Sequence, residues 1–210
     1  MRRKTGLTIS LIALMGSAVL AMPSAAHSQS GFGQKITAGI FGGVTFPRSA
    51  FDEEVSTGWN AGGFGKVRLY GPLDLRVDGT YAKFAKQDLV ATGGTVTTNT
   101  SVVFGTIGGL LNLGTDSAAY PGDNSVSPYL MAGAGRYKLD YDAVCVGAQC
   151  DQFIDPGVNS FWGINIGGGA TIPLAGIRTF LEGRYHRISR GEQDGGSRVM
   201  VVVSAGVKFR

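Results

Sequence analysis

The chain has 210 residues, of which 34 are Gly, and only 16% are charged. Ordinary soluble domains carry about half that share of Gly and about 25% charged residues. The formal net charge of +4 and sequence pI of about 9.2 raise a nucleic-acid partner as the first possibility. The Gly residues have no three-residue period, which excludes collagen. A hydrophobic share of 43% and an aromatic share of 10% exclude disorder.

In chain order the first element is a leader. Arg2, Arg3 and Lys4 precede a largely apolar run from Leu7 to Ala21, and MPSAAHSQS follows. A basic start, a short apolar core and a small-residue exit predict a secretory signal peptide over residues 1–28, with Ser24 and Ala26 at the two small-residue positions before the cut. The run is too short for the roughly 20 residues a spanning helix needs. Losing three of the 19 basic residues leaves the remainder close to neutral against 15 acidic ones. The basic pI is then a targeting feature, and no nucleic-acid partner is expected. Residues 29–210 are expected to form one domain.

That domain shows a period of two. In Leu73 to Tyr81, Leu73, Leu75, Val77, Gly79 and Tyr81 share one face, while Asp74, Arg76, Asp78 and Thr80 share the other. Such dyads predict strands with one apolar and one polar face. Eight of them fall near 34–46, 58–70, 72–85, 99–113, 128–141, 159–172, 177–189 and 198–210. Tight connections surround Gly71-Pro72 and Pro173–Gly176. Long polar ones cover 47–57, 86–98, 142–158 and 190–197. The connection at 114–127 is long for a turn on the short-turn side. No apolar window past the leader reaches 18 residues, so spanning helices are excluded. The pattern predicts an all-β, eight-stranded, antiparallel up-and-down transmembrane β-barrel. A soluble lipocalin-like barrel would show the same period with its polar face outward.

The polar parity carries Lys66, Arg68, Asp74, Arg76, Asp78, Arg136, Lys138, Glu182, Arg184 and His186, which are expected to form a charge network inside the barrel. The apolar parity is small or aliphatic, with Gly79, Gly133, Gly135, Gly168 and Gly183 expected on the lipid side. Tyr81, Tyr141 and Tyr185 at one end, with Tyr129 and Phe209 at the other, are expected to form aromatic girdles.

Four stretches carry a resemblance: ITAGIFGGVTF at 36–46, FGKVRLYGPLDLRVDGTYAKF at 64–84, FLEGRYHRIS at 180–189 and VVVSAGVKFR at 201–210. They resemble the bacterial outer-membrane β-barrel family of OmpA-, OmpX- and opacity-like proteins. The resemblance implies insertion in a Gram-negative-type outer membrane, both chain termini in the periplasm, and contact with outer-membrane lipid. It also implies handling by the barrel assembly machinery through an aromatic end of the last strand, here Phe209 followed by Arg210. It implies no single activity.

An eight-stranded lumen is about filled by side chains, so the interior charges are expected to pair and plug it. A gated narrow channel is the competing reading. Some family relatives are lipid hydrolases that use His, Ser and Glu. His186, Ser189 and Glu192 were therefore weighed, but a spacing of three puts His and Ser on opposite faces. No enzyme activity, cofactor or metal site is expected. Gly65-Lys66 is followed by Val67 and has no phosphate-loop spacing. Cys145 and Cys150 are expected to form a disulfide in a long loop. The long loops are expected to carry any extracellular ligand, of unknown identity.

Overall fold

The structure, a computed structural model, describes residues 36–48, 51, 55–85, 87–91, 94–114, 125–147, 158–174, 176–189 and 197–209. The expected signal peptide lies outside the described residues.

Nine strands form. They are β1 (Ile36–Arg48), β2 (Gly58–Tyr70), β3 (Leu73–Phe84), β4 (Gln87–Ala91), β5 (Gly94–Asn112), β6 (Ser127–Gly147), β7 (Val158–Leu174), β8 (Ile177–Ile188) and β9 (Arg198–Phe209). Each pairs antiparallel with its neighbour in the order β3-β2-β1-β9-β8-β7-β6-β5-β4. Two contacts close the ring. β1 pairs with β9 from Ala38↔Phe209 to Arg48↔Val199, and β3 pairs with β5 from Leu73↔Leu111 to Lys83↔Ser101. β4 continues β3 upward after a short break and adds no wall position. The wall is therefore a closed eight-stranded antiparallel barrel.

Tight turns need residues that tolerate positive φ. Gly71, at φ 52°, turns β2 into β3, and Gly176, at φ 82°, turns β7 into β8. These turns share the lower rim with the start of β1 and the end of β9. The connection from β5 to β6 also leaves this rim, and the other longer connections leave the upper rim.

Two expected loops proved to be partly strand. Residues 86–98 and the first part of 142–158 contain a hairpin that extends above the wall. β5 from Gly94 to Thr100 pairs with β4 on one side and with Tyr141–Gly147 of β6 on the other. At about 3.4 Å per residue this tongue stands roughly 20 Å above the last β3–β5 pair. Thr95, Val96, Thr97 and Thr98 supply the β-branched residues that favour an extended chain. Cys145 lies in this extension opposite Val96, and Cys150 lies outside the described residues.

The wall is polar inside and apolar outside. Ile166 is 63% exposed and Ile164 61%, whereas Arg76 is 1% exposed. Ile40, Val77, Ile107, Leu130, Leu181 and Val203 continue the exposed aliphatic band around the ring. A water-soluble barrel has the opposite arrangement, because exposed apolar area of this extent favours burial.

The upper lumen is apolar. Phe84, Val102, Phe104, Tyr137, Leu139, Ile188, Met200 and Val202 pack together there. Phe51 and Val55, from the connection after β1, complete the cluster and are 0% and 2% exposed. Many Gly residues serve this interior. The expectation that Gly133 and Gly135 face lipid is corrected: they share the inward parity of β6 with Tyr129 and Tyr137. A Cβ on inward Gly163 would stand 2.7 Å from both the Arg187 carbonyl oxygen and Tyr137 Cε2, whereas one on outward Gly183 would meet nothing within 4 Å.

Gly163→Ala should therefore lower the unfolding free energy by about 1–3 kcal/mol through overpacking. Gly183→Ala should change it by less than about 0.5 kcal/mol. Urea unfolding of the two refolded variants in one detergent compares them directly, and equal losses would refute the packing argument.

Candidate functional site

The dyad period puts residues i and i+2 of a strand on one face. Arg76 and Asp78 on β3 thus share the lumen with Glu182 and Arg184 on β8, on the far side of the barrel. The four form a closed ring. Arg76 Nη2 lies 2.7 Å from Asp78 Oδ1, and Arg76 Nη1 lies 2.6 Å from Glu182 Oε2. Arg184 Nη2 lies 2.8 Å from Asp78 Oδ1, and Arg184 Nε donates to Glu182 Oε1. Each cation contacts both carboxylates, so the formal charges cancel within the ring. Tyr129 donates its hydroxyl to Glu182 Oε2 at 2.8 Å. The Phe64 ring centre lies 3.9 Å from Arg76 Cζ, and Phe41, Phe64 and Phe180 cluster beside it.

Below the ring, Asp74 accepts from Lys66 Nζ at 2.5 Å, Arg68 Nε at 3.3 Å and Asn112 Nδ2 at 3.1 Å. Lys208 donates to Thr171 Oγ1 at 2.6 Å and lies 4.9 Å from the Tyr129 ring centre. On the upper side, the Tyr137 hydroxyl and His186 Nδ1 are 2.8 Å apart. Phe104 stacks on Tyr137 with centroids 5.1 Å apart. Asn60 bridges Thr45 and Ser204, at 3.2 and 3.0 Å. At the upper mouth, Phe51 meets Phe84 edge-on at 5.3 Å, and Arg198 Cζ lies 5.3 Å from the Phe51 ring centre and 5.1 Å from that of Tyr141.

Lys66, Arg68, Asp74, Arg76, Asp78, Glu182, Arg184 and His186 all face the lumen. Arg136 and Lys138 do not. They project from the outer wall near the upper rim, and Arg136 lies over Trp162, 5.0 Å from its centroid. The same inversion corrects two girdle residues. Tyr129, 2% exposed, is an interior hydrogen-bond donor, and Tyr141 packs against the apolar cluster of the upper lumen. All four corrections share one cause. Sliding the facing of a strand by one residue exchanges its two faces, and β6 presents its odd-numbered residues inward. Its even-numbered row, Leu130, Ala132 and Ala134 followed by Arg136 and Lys138, is lipid-like at mid-height and charged only at its end. That gradient was the available signal.

Tyr81, Tyr185 and Phe209 face outward, Tyr185 at 45% exposure and Phe209 at 52%. Trp59, which packs 5.5 Å from Tyr81, and Trp162 join them on the outer surface. His186 is enclosed in the lumen, Ser189 lies just past the end of β8, and Glu192 lies outside the described residues. Among the described residues, no group of three metal-ligating side chains is gathered in one place.

No protein family matches the chain, and no curated protein does. Solved structures match its shape. Neisserial surface protein A superposes with a TM-score of 0.54 at 15% identity, covering 86% of this chain and 99% of that one. The fold is that of a small outer-membrane β-barrel. The N-terminal β-barrel domain of Pseudomonas aeruginosa OprF aligns at TM-score 0.43 and 16% identity, over 84% of this chain and 98% of that one. The attachment invasion locus protein Ail of Yersinia pestis aligns at 0.42 and 14%, over 83% and 97%.

In a barrel of this fold, the charge ring ties β3 to β8 across the lumen. Removing one member leaves buried charge uncompensated. Glu182→Leu should lower the unfolding free energy by about 3–5 kcal/mol. Replacing all four members by Leu or Met should cost less than that single change, because no orphan charge then remains. Denaturant unfolding of both variants measures the order, and the reverse order would refute the pairing argument.

Proposed function

We propose that the chain is a non-enzymatic barrel of the outer membrane with a sealed lumen, and that its upper end is the surface that meets partners. The inverted wall carries this reading. A band of exposed aliphatic side chains encircles a closed ladder, and buried charge lies inside it. A closed barrel satisfies every backbone polar group internally, which a strand structure in hydrocarbon must do. The neutral ring of Arg76, Asp78, Glu182 and Arg184, with Phe51 and its cluster above, supports a lumen filled by side chains. The tongue of β4, β5 and β6 gives the upper end a rigid display surface of the kind that commonly carries recognition. A Cys145–Cys150 bridge would restrain its tip, which thiol labelling with and without reductant reads directly. Export by the signal peptide and insertion by the barrel assembly machinery, with Phe209 at the end of β9, complete the proposal.

The wild-type protein should sediment with the envelope and shift in gel mobility on boiling. In planar bilayers it should conduct no ions, while the Asp78→Ala, Glu182→Ala double variant should show openings. Recovery in the soluble periplasm would refute the membrane reading. Steady wild-type conductance would refute the sealed lumen and favour the channel.

A further inference from the structure

The outer wall has unequal rims. Among the residues whose side chains are described, its outward charges are Arg48, Lys83, Arg136, Lys138, Asp140 and Arg187. All lie toward the upper rim, and all but Asp140 are cations. The lower outward positions, among them Leu73, Leu111, Leu130, Leu174, Ile177 and Phe209, are uncharged. Lys and Arg side chains near the end of a membrane-spanning strand reach the headgroup layer, where they attract negatively charged lipid groups.

The cations are densest on β6. Arg136 and Lys138 are two residues apart on one face, roughly 7 Å along the strand. Lys138 sits opposite Ser160 on β7, and Arg136 opposite Trp162. The Arg136 side chain leans across the ladder, donates to Ser160 Oγ at 3.0 Å, and lies over the Trp162 ring. Arg136 and Ser160 are thus joined beside Trp162, and Lys138 follows two residues on along the same outward face. Two cations and a hydroxyl suit a phosphate, which a guanidinium can bind through paired N–H donors.

The wall below is shaped for a chain. Ala134 lies between Ile107 on β5 and Ile164 on β7, and Ala132 between Gly109 and Ile166. Ile107, Ile164 and Ile166 are 53%, 61% and 63% exposed. Ala134 and Ala132, beside these protruding isoleucines, leave a short shallow trough beneath Arg136 that ends at the exposed Leu130.

We propose that this face is a specific site for a membrane lipid with an anionic phosphate headgroup. Arg136, Lys138 and Ser160 hold the phosphate, and an acyl chain lies along Ala134 and Ala132. The inference rests on the membrane reading above. Charge complementarity places the phosphate, and the trough directly below it favours a lipid over a dissolved anion.

The test uses the full barrel refolded into phosphatidylcholine vesicles. The chain has two Trp residues, and Trp59→Phe leaves Trp162 as the sole indole reporter. Phosphatidic acid with brominated acyl chains should quench Trp162 with roughly tenfold higher relative affinity than equally brominated phosphatidylcholine. Arg136→Gln with Lys138→Gln should bring the two lipids to parity, and Ala134→Leu, which keeps the cations, should weaken quenching by both. Arg48→Gln with Lys83→Gln, on other strands, should leave the preference intact. Equal quenching by the two lipids in the parent, or an unchanged preference in the β6 double variant, would overturn the site. Competition by inorganic phosphate in the buffer would reassign it to a soluble anion and overturn it as well. A protein that neither inserts nor shifts on boiling would fail earlier, at the membrane reading.

Discussion

Closure of the backbone ladder is the constraint from which the rest follows. Once β1 pairs with β9 and β3 with β5, no wall strand keeps an unpaired edge along the ring, and the outer surface below the upper rim can be apolar. The polar parity of every strand must then be resolved within a narrow lumen. The eight strands give too little room for water to do this, so side chains do it for one another. The Arg76, Asp78, Glu182 and Arg184 ring, the Asp74 cluster and the Asn60 bridge are three local solutions to this one problem.

The lumen also divides by height. Its lower part is charged and hydrogen-bonded, and its upper part is built from aromatic and aliphatic side chains. Aromatic rings also line the charged part, Phe64 lying against Arg76 and Tyr129 donating to Glu182. Inward Gly residues make this possible. The space opposite Gly163 is filled by Tyr137, so ring bulk on one strand is matched by its absence on the neighbour.

The wall was legible in the sequence because its signal is local. The dyads of β3, β8 and β9 place their inward residues directly, and Gly71 and Gly176 mark the tight turns. β6 was misread because Arg136 and Lys138 were assigned by charge alone. A charge at the end of a spanning strand reports depth as readily as facing, and only the Leu130, Ala132 and Ala134 row below them separates the two. The tongue is not expected because the Thr-rich stretch 94–98 reads as loop, while the pairing that makes it strand comes from β6, more than forty positions away. The burial of Phe51 depends on its packing against Phe84, far along the chain, and no local period records that. The charge ring was half legible. Its parity was visible on each strand, but the partnership of β3 with β8 depends on the curvature of the closed ring.

The uneven rims also bear on the history of each molecule. In a bilayer, a barrel that turned over would have to carry Arg136, Lys138 and Arg187 through the hydrocarbon layer, each passage opposed by the energy of a bare charge away from water. The lower rim meets no such obstacle while it stays where it is. Orientation is thus a memory: whichever way the wall first enters, thermal motion does not erase it, and every copy inserted by the same route faces the same way for as long as it stays folded.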